Sequence, residues 1–241
     1  EGRFPLLLVS HGKGSTGLTF RTLARYLAQN GFIVCLLDHP FNNRFNNDRD
    51  NTLENLVDRP RHVSEILDAL LDDTNDRDEH QITEKTSESI DESVKNPSRK
   101  SNKDSIRKSV EKAIQKSIDP QNIFILGHSL GAYTALAVAG GVAHTQHLMQ
   151  NDPSTKVKVS TEIVSKKDER IKALILLAPT AGLFLSEGSL DNVHLPMLIY
   201  SAEHDPYTPL FHAQIVMGRL PKQTKVIHKI AAGAGHFSFL S

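Results

Sequence analysis

Six short apolar runs, at residues 6–10, 32–38, 122–127, 172–178, 197–202 and 225–230, alternate with segments whose apolar residues recur at helical spacing. Runs this rich in Ile, Leu and Val suit strands covered on both faces, and such a strand needs a crossover helix to reach a parallel neighbour. The intervening segments supply the crossovers. Residues 19–30 place Phe20, Leu23, Leu27 and Ala28 on one stripe and stop at Gly31. Residues 60–71 repeat the pattern with Val63, Ile66, Leu67 and Leu70, and residues 210–219 stop short of Pro221. The expected fold class is therefore α/β, a mostly parallel, doubly wound sheet with helices on both faces. With 241 residues, a single domain spanning 1–241 is the expected organisation.

Two polar stretches interrupt this rhythm. Residues 72–92 hold nine acidic side chains against Arg77 and Lys85, and residues 95–116 hold eight basic ones against Asp104 and Glu111. An insertion at about 72–118 is expected on the surface, as solvated filler or as a docking segment. Within its basic half Ile106, Val110, Ile114 and Ile118 recur every four residues, which predicts an amphipathic helix ending at Asp119-Pro120. The stretch 146–170 reads as a second surface excursion.

Charge and composition exclude several classes. The 28 basic and 28 acidic residues cancel, leaving no field to draw nucleic acid or an anionic membrane, so a small-molecule partner is expected. No apolar stretch approaches the ~20 residues of a membrane span, which predicts a soluble chain. The chain starts at Glu1 without a methionine, which leaves its compartment open. Cys35 is the only cysteine; it excludes a disulfide within the chain and, inside FIVCLL, reads as a packed thiol.

The chemistry gathers around IFILGHSLGAYTALAVAG, residues 123–140. An apolar strand gives way to an apolar helix at Gly127-His128-Ser129-Leu130-Gly131, a match to G-x-S-x-G. A turn this tight strains the serine backbone and leaves no room for side chains at the flanking glycines, so the hydroxyl stands clear of the sheet. A glycine-rich turn with an incidental serine is the bland alternative. A serine hydroxyl becomes a nucleophile when a base takes its proton, and the base needs an acid to hold its tautomer. Loops at the carboxyl ends of later strands supply such groups. Asp205 lies in SAEHDPYTP after the run at 197–202, and His236 lies in AAGAGHFSFL after the run at 225–230. Asp205 could instead be a turn former before Pro206, with Glu203 as the substitute acid. His204, His212 and His228 read as surface or packing residues.

Acyl transfer also needs donors for the developing oxyanion. The N–H of Leu130 follows the serine directly, and the turn in VSHGKGST after the first run offers the N–H of Lys13, with His11 and Gly12 shaping that loop. HGKGST fits neither phosphate-binding glycine motif. His11, Gly12, His128 and Phe184 are expected to line the substrate pocket, with Asp38-His39-Pro40 at its edge and Leu183, Phe184 and Leu185 as an apolar wall or ordinary packing. His144 and His147 form no metal set, because no nearby carboxylate or cysteine completes one.

On these residues the chain resembles the α/β-hydrolase superfamily. More narrowly it is similar to the bacterial proteins labelled predicted dienelactone hydrolases and to the platelet-activating-factor acetylhydrolases. The likeness rests on PLLLVSHGKGS, GFIVCLLDHPFNN, RPRHVSEILDALL, GHSLGAYTAL, RIKALILLAPTAG, SAEHDPYTP and GAGHFSFL. It implies a serine hydrolase of carboxylic esters that needs no metal or organic cofactor. It also implies Ser129 as nucleophile, Asp205 as acid, His236 as base, and the amides of Lys13 and Leu130 as oxyanion donors. Dienelactone hydrolases use a cysteine nucleophile where Ser129 stands, so their substrate does not carry over. Thioester hydrolysis or acyl transfer by the same three residues, and a non-catalytic scaffold using the charged insertion, stay open as alternatives.

Overall fold

The computed structural model describes residues 2–71, 97–151 and 154–240. In chain order the elements are β1 (Phe4–Ser10), α1 (Arg21–Gln29), β2 (Ile33–Leu36), α2 (Leu53–Leu71), α3 (Pro97–Ser117), β3 (Ile118–His128), α4 (Leu130–Val138), β4 (Val142–His144), α5 (Gln146–Asn151), β5 (Glu162–Val164), β6 (Ile171–Leu177), β7 (Met197–Ala202), α6 (Phe211–Arg219) and β8 (Val226–Ala231). Six strands form one sheet in the order β2-β1-β3-β6-β7-β8, and every pairing in it is parallel. β4 and β5 make a separate antiparallel pair.

Alternation along the strands divides the core. Leu6, Leu8, Ile123, Ile125, Leu174 and Leu176 pack on one side with Val63 and Leu67 of α2, Ala135 and Leu136 of α4, and Val216 of α6. Leu7, Val9, Leu126 and Leu177 pack on the other with Phe20, with Leu23 and Leu27 of α1, and with Phe239 and Leu240. The chain leaves β1 for β2 on one side and then crosses to β3 on the other. The loops after β1 and β3 therefore diverge at the carboxyl edge, where sheets of this kind hold their ligands.

Two elements differ from their sequence patterns. Residues 60–71 read as a helix opening at Pro60, whereas α2 begins at Leu53 and carries Pro60 inside it. Proline lacks an N–H, so the carbonyl of Leu56 loses its partner four residues on. The hydroxyl of Tyr133, fully buried on α4, donates to that carbonyl at 2.9 Å. The sequence cannot show this long-range repair, and the helix extends two turns further than proline alone permits. The second difference lies in the charged insertion. α3 does form, but Val110 and Ile114 are exposed, and Ile118 leaves the helix to pair with Phe4 as the first residue of β3. The acidic half, 72–92, lies outside the described residues. Among the described residues no helix is long and apolar enough to cross a membrane.

Candidate active site

The turn after β3 is built by exclusion. Ser129 holds φ 54° and ψ −118°, a positive-φ conformation that costs a non-glycine residue about 1–3 kcal/mol. A Cβ at Gly127 would overlap the Gly131 carbonyl and stand 2.6 Å from Ala132 N; one at Gly131 would overlap the Ser10 carbonyl and stand 2.7 Å from Ser10 C. Both glycines are therefore dictated by close backbone approach. The strained peptide is tied down on both sides, since Ser129 N–H donates to Leu177 O at 3.0 Å, and Ser129 O accepts from Ala132 N (2.9 Å) and Thr180 N (3.1 Å). Leu130 takes the first position of α4, where a helical N–H has no partner one turn back.

The loops after β7 and β8 bring Asp205 and His236 together. His204 N–H donates to Ala234 O at 2.8 Å, and Gly233 N–H donates to Glu203 Oε2 at 2.7 Å. Glu203, the substitute acid, is thus engaged away from His236. Asp205 Oδ1 accepts the N–H groups of Tyr207 (2.8 Å) and Thr208 (2.9 Å), while Oδ2 lies 2.7 Å from both the Thr208 hydroxyl and His236 Nδ1. Burial pushes the Asp205 carboxyl upward. The bonds from Thr208, His236 and Tyr207 outweigh that and hold it below the usual carboxylate range. An ionised carboxylate at Nδ1 fixes the proton there and leaves Nε2 of His236 with its lone pair outward.

His236 Nδ1 lies 2.7 Å from Asp205 Oδ2 and 3.2 Å from Thr208 Oγ1, and the His236 carbonyl accepts from His128 Nε2 (3.0 Å); no hydrogen bond joins the imidazole to Ser129. His128 packs its ring 4.9 Å from that of His236, centroid to centroid. Gly12 lies against the serine, because a Cβ there would stand 3.1 Å from Ser129 Cβ.

A cleft of about 160 Å³ opens beside Ser129, walled by Leu56, Leu130, Leu148 and Leu183. Lys13 forms its polar rim, reaching Asn51 Oδ1 at 2.6 Å and Asp50 Oδ2 at 3.4 Å. The pocket expectations need correction here. His11 and His128 are buried, Gly12 lies against Ser129, and Phe184 is fully buried against Tyr133, so none of the four lines this cleft. Asp38 caps Gly17 N–H at 2.8 Å and His39 is fully buried. The stretch 146–170, read as a surface excursion, contributes Leu148 and Thr155 to the wall. Of the other histidines, His212 Nδ1 accepts from Ala181 N at 3.0 Å, His228 Nε2 sits 3.0 Å from Ser201 Oγ, and His204 is exposed. Among the described residues no group of three or more His, Cys, Asp or Glu side chains is placed to hold a metal ion.

Residues 5–144 match the family model described as alpha/beta hydrolase fold. The match covers more than half of the chain, which therefore belongs to that family of hydrolases. It takes in the turn at Ser129 but ends before Asp205 and His236. No curated protein matches the chain.

Proposed function

We propose that the protein is a serine hydrolase of carboxylic esters, with Ser129 as nucleophile, His236 as base and Asp205 as the acid that orients it. Its narrower likeness is to esterases of the dienelactone-hydrolase and platelet-activating-factor-acetylhydrolase kind. The observation that carries this reading is the 2.7 Å bond between Asp205 and His236 at the carboxyl edge that also presents the strained Ser129. Nε2 of His236 takes the hydroxyl proton as Ser129 Oγ adds to the ester carbonyl. The oxyanion is received by the N–H groups of Leu130 and Lys13. The imidazolium then passes its proton to the leaving alcohol, and water clears the acyl-enzyme along the same route. Catalytic hydrogen bonds of this type tighten when substrate binds, so an open Ser129–His236 gap in the free protein fits the scheme.

The small cleft and its four leucines suit a short acyl chain, and the Lys13-Asp50-Asn51 rim suits a water-soluble ester. Nitrophenyl esters of graded chain length test this reading. Turnover is expected to be highest from acetate to butyrate, to fall steeply by decanoate, and to vanish in Ser129→Ala. Hydrolysis that survives Ser129→Ala contradicts the assignment.

A further inference from the structure

Arg59, on α2, is the largest of the fully buried side chains. Its guanidinium donates from Nε to Thr134 Oγ1 (2.9 Å), from Nη1 to Asn42 Oδ1 (2.7 Å), and from Nη2 to Ser10 Oγ (3.3 Å) and to the His11 carbonyl. Every acceptor is neutral. Among the described residues no carboxylate pairs with it, so the usual compensation for a buried charge is missing. Burial lowers its pKa to about 9, which leaves it charged at neutral pH. A cation held at such cost, and gripping three segments at once, calls for a use.

The use follows from peptide geometry. In a trans peptide the C=O and the following N–H point in opposite directions. Arg59 pulls the His11 carbonyl toward α2, so the Gly12 N–H is turned the other way, and Gly12 lies against Ser129. The next peptide is fixed in the same manner: His11 Nδ1 holds the Gly12 carbonyl at 2.7 Å, which turns the Lys13 N–H away from the ring. His11 Nε2 accepts from His39 N–H at 3.3 Å, so the imidazole is neutral with its proton on Nδ1. Thr134 carries the same guanidinium to α4, and its hydroxyl also lies 3.2 Å from Leu130 O. Arg59 thus bridges the two segments that bear the proposed oxyanion donors.

We propose that Arg59 is a positioning residue for the oxyanion site, setting the His11-Gly12-Lys13 peptides against the start of α4 and adding a fixed positive charge behind them. This rests on the ester-hydrolase reading above. A misplacement of 1 Å in such a site costs about 100-fold in rate. Arg59→Lys keeps the charge but loses the fork, and Arg59→Met loses both.

The experiment measures kcat and KM for p-nitrophenyl acetate, and the inhibition constant of an aryl trifluoromethyl ketone that forms a tetrahedral adduct on the serine. In Arg59→Lys, kcat is expected to fall ~10- to 100-fold with KM held within about threefold, and the ketone constant to rise by the same factor as kcat/KM falls. Arg59→Met is expected to fall further. A folded Arg59→Lys with normal kcat, or one that loses kcat while binding the ketone as tightly as before, overturns the inference. Should neither variant fold, Thr134→Val removes one acceptor and leaves the charge in place. It is expected to weaken ketone binding several-fold, and unchanged ketone binding there equally overturns the inference. Wild-type protein that neither hydrolyses the ester nor binds the ketone instead sinks the ester-hydrolase reading itself.

Discussion

Gly131→Ala is expected to be among the most damaging single methyl additions in this chain. The new Cβ would overlap Ser10 O and stand 2.7 Å from Ser10 C and 3.0 Å from His11 O, all main-chain atoms that cannot rotate aside. Relieving the overlap means moving the end of β1 away from α4 by roughly 1 Å, and overpacking of this kind costs up to about 3 kcal/mol. In a domain of this size that corresponds to a fall in Tm of roughly 6–12 °C. The same movement separates the Gly12-Lys13 loop from Ser129, so ester turnover is expected to drop ~100-fold beyond any loss of folded protein. Gly218→Ala is the matched control. It lies within α6 with nothing within 4 Å of the added methyl, and alanine there is expected to stabilise the helix by about 0.5–1 kcal/mol. Thermal melts followed by circular dichroism, with kcat measured well below Tm, separate the two. If Gly131→Ala melts and turns over like Gly218→Ala, the close approach of β1 to α4 is not what the turn requires.

Tyr133→Phe removes the donor that serves the carbonyl freed by Pro60 and should cost about 1–3 kcal/mol in urea unfolding, whereas unchanged stability would mean that the Leu56 carbonyl has another partner. Asp205→Asn should lower turnover ~10⁴-fold with little change in KM, because the amide no longer holds the proton on Nδ1 of His236; near-normal turnover would move the acid role elsewhere. Burial lowers His128 and His11 to about 4, so the unfolded chain binds more protons than the native one between their native and ordinary values. Their contribution is therefore complete above pH ~6.5 and is lost as pH falls toward 4. Urea midpoints at pH 7, 5.5 and 4.5 should decline in that order and decline less in His128→Gln; a flat profile contradicts this. Leu148→Phe should narrow the cleft and shift the preferred acyl chain toward acetate, and an unchanged chain-length profile would place the acyl group elsewhere.

Much of the sheet was legible because central parallel strands, buried on both faces, read as near-continuous apolar runs too short for helices. The runs at 122–127 and 197–202 lie within or coincide with β3 and β7. The turn at Ser129 was legible for a related reason, since glycines forced by backbone contact leave a fixed spacing. Asp205 and His236 were placed by the rule that loops after strands carry chemistry, and the structure sets them 2.7 Å apart. Other features depend on contacts distant in the chain. Nothing near Pro60 announces that Tyr133 will replace the missing N–H, so the first two turns of α2 were invisible. Arg59 precedes the helical pattern at 60–71 and carried no role in the sequence, because its four acceptors come from β1, the loops after β1 and β2, and α4. Leu183 and Phe184 are neighbours in a short 3₁₀ turn; one faces the cleft and the other the core, a choice the sequence leaves open. Thr208, which braces the Asp205 carboxylate, was hidden by the ordinary look of an Asp-Pro turn.

Labelling with a fluorophosphonate probe, read out by intact mass and by mapping the modified peptide, tests whether Ser129 is an activated nucleophile. One adduct per chain is expected on Ser129, abolished in Ser129→Ala and formed far more slowly in His236→Ala. A folded wild-type protein that takes up no probe, or takes it up on another residue, contradicts it.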